Sequence, residues 1–219
     1  MQKTPLTIDQ LRSEAAVFAE IESTYPEPSL YGVDNGKAIG TYLEHKFTAY
    51  LSSKYEVKVG NSASGIDLPG LDVDIKVTSI NQPQSSCPFR DGRQKIFGLG
   101  YSLIVFVYSK ADNAQSQTAI LDIRQTVFVA KEQTADYQTT KSLQRIISNG
   151  GNVEDIIAYM TDHAFPLDDI EAQKIAEELL AGAELHQGYL TVSNARQWRL
   201  QYNHALKQAG SVEGVYRVR

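Results

Sequence analysis

Residues 65–80 read GIDLPGLDVDIKVTSI, and this stretch decides the fold. From Leu71 to Val77 apolar and charged residues alternate strictly. A strand turns every second side chain to the same face. Leu71, Val73, Ile75 and Val77 are therefore predicted to face a core, with Asp72, Asp74 and Lys76 on the opposite side. Pro69-Gly70 predicts a tight turn, so the stretch reads as a hairpin with a short arm and a long arm. Asp67 lies on the short arm and can fold back beside the acids of the long one. Two neighbouring carboxylates repel each other unless a cation lies between them. An all-oxygen site with room for water suits Mg²⁺ or Mn²⁺. A lysine in the same row can position or deprotonate a water and can offset charge developing on a phosphate.

On either side the pattern alternates between helix and strand. Leu11, Ala15, Phe18 and Ile21 recur at helical spacing and predict a helix over 7–24, with Thr7 as its N-cap. Two prolines and two glycines make 25–36 a loop, and a second helix follows from Lys37 to Tyr55. Val57–Asn61 reads as a short strand, 81–92 as a polar loop and Arg93–Gly98 as a helical turn. Tyr101–Lys110 and Gln117–Glu132 read as strands. Beyond them helices are expected over 135–148, 152–162, 168–184 and 193–209, with a last short strand at Val215–Arg219. The fold class is α/β, a mixed central sheet flanked by helices. Residues 1–132 would form the core with the site-bearing sheet. Residues 133–219 would form a mostly helical part, packed on that core as one domain or set apart from it.

The chain has 219 residues, 42% hydrophobic and 21% charged. That composition excludes a disordered tail, a collagen-like fibre and a disulfide mini-scaffold. Cys87 is the only cysteine, so no internal disulfide can form, and a reducing cytoplasm is the expected compartment. The polar start, Met1-Gln2-Lys3-Thr4-Pro5, does not read as a signal peptide. The longest apolar run, Leu103–Tyr108, has the length of a buried strand rather than a membrane span. Net charge is −5, yet residues 152–185 alone carry nine acids against Lys174, which leaves the rest net positive. Net charge therefore does not exclude a nucleic-acid partner. His45, His163, His186 and His204 lack zinc spacing, Cys87 lacks an evident catalytic partner, and no Gly-Lys-Ser/Thr loop cradles a nucleotide. No nucleotide cofactor and no membrane partner are expected.

Asp67, a turn, and then Asp74-Ile75-Lys76 resembles the PD-(D/E)xK nuclease superfamily, with Ile66 in the place of its proline. The seven-residue spacing from Asp67 to Asp74 is similar to that of type II restriction endonucleases and the MutH-like nickase group. Residues 36–44, GKAIGTYLE, resemble the helix that precedes the hairpin in that group. Gly36, Gly40 and Glu44 share one helix face, where the glycines would let the helix approach the sheet and bring Glu44 to the metal. The resemblance covers about residues 36–110. It implies a Mg²⁺-dependent endonuclease acting on double-stranded DNA as a homodimer, with Mn²⁺ able to substitute. Asp67, Asp74 and the Ile75 carbonyl would bind metal, Glu44 directly or through water, and Lys76 would orient or activate the attacking water. Asp72 shares the face of Asp74 and is an alternative ligand to Asp67 or Asp74.

The segment after the motif is rich in amides, hydroxyls and bases. Gln82, Gln84, Ser85, Ser86, Arg90, Arg93 and Lys95 are candidate DNA contacts, because amides pair with adenine edges and arginine with guanine. Lys95 is also a candidate second active-site lysine. Arg196 and Arg199 belong to an expected helix over 194–208 that mixes bases with Trp198 and Tyr202. That helix either holds DNA backbone or buries its aromatics in the core.

Overall fold

The computed structural model describes residues 3–60, 65–86, 92–193 and 199–219. In chain order its elements are α1 (Ile8–Glu22), α2 (Gly36–Lys54), β1 (Val73–Ser79), β2 (Gln84–Ser86), α3 (Arg93–Phe97), β3 (Ser102–Asn113), β4 (Thr118–Val129), α4 (Tyr137–Ser148), α5 (Val153–Asp162), α6 (Asp169–Leu180), β5 (Thr191–Val192), β6 (Arg199–Gln201), α7 (Asn203–Gln208) and β7 (Val215–Arg217). Thr7 caps α1 in a reciprocal pair with Gln10, which satisfies N–H groups the first turn would leave open. Asn35 caps α2.

A four-stranded sheet in the order β1-β3-β4-β7 forms the centre. β1 runs parallel to β3, whereas β3–β4 and β4–β7 are antiparallel, so the sheet is mixed as expected. β1 lies at its edge. Val73, Ile75, Ile104 and Phe106 line one face and pack with Phe18 of α1 and Leu43 and Phe47 of α2. Phe47 meets Phe106 edge-to-face at 5.0 Å, an arrangement aromatic pairs favour. Leu103, Val105, Val107, Val127 and Val129 line the other face, under Leu190, Val192, Leu200 and Tyr202. A third cluster is built on Ile96, Leu143, Ile156, Met160 and Ile175. Among the described residues no helix is long and apolar enough to cross a membrane.

Three local expectations need correction. Residues 57–60 form no strand: an isolated bridge, Pro5 with Glu56, lies just before them, and Val59 is half-exposed. The hairpin's short arm is reduced to a clasp, in which Leu68 and Val73 exchange backbone hydrogen bonds at 3.0 and 3.3 Å. Asp72 does not continue the charged row, because it occupies the turn with φ +52° and the strand begins after it. Aspartate is among the few residues that tolerate that region.

Among the described residues of the expected helix over 193–209, Arg199–Gln201 form β6 and only Asn203–Gln208 a short helix, α7, while β5 lies just before the range. Leu190 and Val192, and likewise Leu200 and Tyr202, are two apart and both buried. That is strand periodicity, and it covers the second face of the sheet. β6 pairs with both β5 and β2, so a separate three-stranded sheet stands beside the main one. The polar loop expected over 81–92 thus contains a strand. Cys87, Arg90, Arg196 and Trp198 lie outside the described residues.

Candidate active site

The clasp between Leu68 and Val73 returns the chain so that Asp67 lies against β1. Its Oδ2 accepts the Ile75 N–H at 2.8 Å. That N–H faces the open edge of the sheet, which is why a side chain can take it. Asp74 and Lys76, one residue to either side of Ile75, turn away from the α2 face. Asp74 is 4% exposed. Its Oδ2 meets Lys76 Nζ at 2.6 Å, and its carboxyl is hydrogen-bonded to that of Asp67.

Burial is the main reason the Asp74 carboxyl is pushed up to about 7, and its hydrogen bond with Asp67 adds to this against the pull of Lys76. Lys76 is in the reverse situation. Burial alone would depress its ammonium, but Asp74 first, then Asp67 and Glu44, hold it above the ordinary value. A protonated amine donates hydrogen bonds and supplies positive charge; it does not accept a proton. Glu44 reaches this group from α2. Its carboxyl is raised by burial and by Asp67, while Lys76 and His45 pull it down. The structure therefore brings Asp67, Asp74, Lys76 and Glu44 into one electrostatic cluster at the sheet edge. Among the described residues no three His, Cys, Asp or Glu side chains converge closely enough to form a metal-holding group.

Gly36 and Gly40 do not have the role expected of them. A Cβ at Gly40 would find Glu44 Oε1 at 3.9 Å and Val77 Cβ at 4.0 Å, both ordinary contacts, and at Gly36 it would meet nothing within 4 Å. Glu44 reaches the cluster without any closeness of approach that only glycine permits.

The DNA-contact candidates separate into two groups. Gln82 and Ser86 are exposed, and Gln84 and Ser85 are half-buried. Gln84 and Ser86 are paired across β2–β6 with Gln201 and Arg199, and Arg199 is exposed. Ser85 bonds to the hydroxyl of buried Tyr202. Arg93 and Lys95 lie on α3 instead. Arg93 grips the Glu178 carboxylate of α6 with contacts of 2.7 and 2.9 Å. Lys95 is buried, with its amine 5.0 Å from the Phe165 ring centre. Burial lowers its ammonium, and Asp136 opposes that shift. The sequence reading missed Thr78, which shares the face of Asp74 and Lys76. Its hydroxyl accepts the Gln84 N–H at 3.0 Å and lies 3.1 and 3.0 Å from the Gln82 and Gln84 carbonyls. The signal was its place two residues beyond Lys76 in an alternating strand.

Residues 134–140 also find a role. Asp136 Oδ1 accepts the Thr139 N–H and Oδ2 the Val192 N–H, each at 2.8 Å. One carboxylate thus caps α4 and ties β5 to it. The Thr140 hydroxyl accepts the Gly188 N–H at 2.9 Å.

The family model described as type II restriction enzyme NspV matches residues 5–217. The chain is also 56% identical over 215 residues to the type II restriction enzyme NspV of Nostoc sp., an alignment covering 98% of this chain and 97% of that protein. No solved structure matches.

Proposed function

We propose, because this chain belongs to the NspV family of type II restriction enzymes, that it hydrolyses double-stranded DNA at a specific sequence and that Asp67, Asp74, Lys76 and Glu44 form its active site. The observation that carries the assignment is buried Asp74 on the edge strand, its carboxyl against Asp67 and Lys76. Two carboxyls in contact must share a proton or a cation.

The donor set fits Mg²⁺, with Mn²⁺ as a substitute. Mg²⁺ is usually held by one or two carboxylates and keeps several waters. Asp67 and Asp74 supply the carboxylates. The Ile75 carbonyl is a third donor, since the C=O of a strand residue points to the same side as its N–H, and the Ile75 N–H faces Asp67 at the open edge. Glu44, set back on α2, would act through water. The bound cation would supply Lewis acidity toward a phosphate oxygen and lower the pKa of a water.

The other roles follow from side-chain chemistry. Lys76, held protonated beside Asp74, orients the attacking water and offsets charge developing on the phosphate. In-line attack at phosphorus would leave a 5′-phosphate. A palindromic site is matched by a two-fold protein, so the working form is a homodimer. On this reading the chain is a member of the PD-(D/E)xK superfamily, a reading supported by the Asp67, Asp74-Ile75-Lys76 pattern.

The test is digestion of unmethylated phage DNA with Mg²⁺. Discrete fragments with 5′-phosphate ends, abolished by EDTA, are expected. A smear, or no cutting with either Mg²⁺ or Mn²⁺, would contradict the reading.

A further inference from the structure

We infer that the antiparallel β2–β6 ribbon is the element that reads base edges, with Gln84, Gln201 and Arg199 as specificity-determining residues. The inference rests on the endonuclease reading above and assigns the sequence-reading surface within it.

Position is the first argument. Only four residues separate the end of β1 from the start of β2. Thr78, on the face of Asp74 and Lys76, fixes the backbone of Gln82 and Gln84 with its hydroxyl. From below, the Tyr202 N–H holds the Pro83 carbonyl at 2.9 Å, and the Tyr202 hydroxyl holds Ser85. The ribbon is thus tied both to the catalytic strand and to the core. A reader must be held in this way if recognition is to place the scissile bond.

The outward-pointing side chains of the ribbon suit a reader as well. Leu200 and Val192 are buried in the core under the main sheet. Alternation therefore turns their neighbours the other way. Gln84 lies opposite Gln201, and Ser86 opposite Arg199. Thr191 extends the first row from β5. The two rows are about 6.6 Å apart along the strand, roughly two base-pair steps.

Chemistry is the third. A carboxamide can bond adenine N6 and N7 together, and a guanidinium can bond guanine O6 and N7. A major groove of about 12 Å admits a two-stranded ribbon. None of residues 84–86, 191–193 and 199–201 is acidic, in a chain with 26 Asp and Glu. A surface laid against phosphates would need that absence.

The experiment compares wild type with Gln84→Ala, Gln201→Ala, Arg199→Ala and Arg199→Lys. The substrates are a duplex carrying the site found from the wild-type fragments and its single base-pair variants; unfolding temperatures are measured alongside. Each substitution is expected to slow cleavage of the intact site about 10- to 100-fold and to erase discrimination at one or two adjacent base pairs. Unfolding temperature should not move. Arg199→Lys should fail to restore the rate, because lysine cannot make the paired contact. Variants that keep the wild-type discrimination profile would overturn the inference, as would full rescue by Arg199→Lys, which would mark a phosphate contact. A wild type that yields no discrete fragments would overturn the endonuclease reading and this inference together.

Discussion

Lys76→Met is expected to slow DNA cleavage about 10²- to 10³-fold while the protein stays folded, the magnitude typical of losing one preorganised charge stabiliser. Methionine keeps an unbranched apolar stem, so the change isolates the ammonium. That ammonium is 2.6 Å from Asp74 and largely enclosed. Removing one member of a buried ion pair is usually costly. Here Asp74 already shares a hydrogen bond with Asp67 and has its carboxyl pushed up to about 7, so it can take a proton when the lysine is gone. The fold should survive and the chemistry should not. Single-turnover cleavage and thermal unfolding, read on the same preparation, check both parts. A variant cutting within about threefold of wild type would remove Lys76 from the active site.

Asp136→Ala is expected to destabilise the protein by about 3–5 kcal/mol, a fall in Tm of about 6–20 °C. The carboxylate is buried and accepts two backbone N–H groups, from Thr139 and Val192, at 2.8 Å each. Alanine leaves both donors without that acceptor, and each costs about 1–3 kcal/mol. The Thr139 bond is the N-cap of α4, so the cap is lost with it. Asp136→Asn keeps one acceptor oxygen and should lose about half as much. Urea unfolding measures both. A loss below about 1 kcal/mol for alanine would contradict the view that this residue ties β5 to α4.

These two residues differ in how far the sequence disclosed them. Lys76 was readable because strict alternation is a strong signal: one period of two placed Asp74 and Lys76 on one face and Val73 and Ile75 on the other. Asp67 was readable through the Pro69-Gly70 turn, although the turn proved to be a clasp rather than a hairpin arm. Asp72 was misplaced because alternation cannot show where a strand begins, and its positive φ is a property of the turn. Asp136 fell inside the helix expected over 135–148, and its part as cap and tie to β5 went unread. Its two N–H partners lie 3 and 56 residues away, and the distant one leaves no trace in local pattern.

The small sheet was hidden for a related reason. Its three strands are of two or three residues, and β2 pairs with β6 over more than a hundred positions of sequence. Such short runs carry too few periods to separate strand from helix. Trp198, Tyr202 and Ala205 could equally have made one helix face, which is why 193–209 read as a helix. By contrast, α1 and α2 declared themselves. Each repeats its apolar positions over several turns and begins at a residue that caps it, Thr7 or Asn35.

On the proposed function, the Asp67–Asp74 pair is the metal-holding centre. The most direct measurement follows Asp74→Asn in two ways, by cleavage of phage DNA with Mg²⁺ and by unfolding temperature without metal. The amide cannot ionise, so the cost of holding a carboxylate in a buried, like-charged setting disappears. Cleavage is expected to fall by about 10³-fold or more. The metal-free variant is expected to melt at or above the wild-type temperature, as when a functional residue is held at the expense of stability. Cleavage at the wild-type rate by a folded Asp74→Asn protein would contradict the assignment.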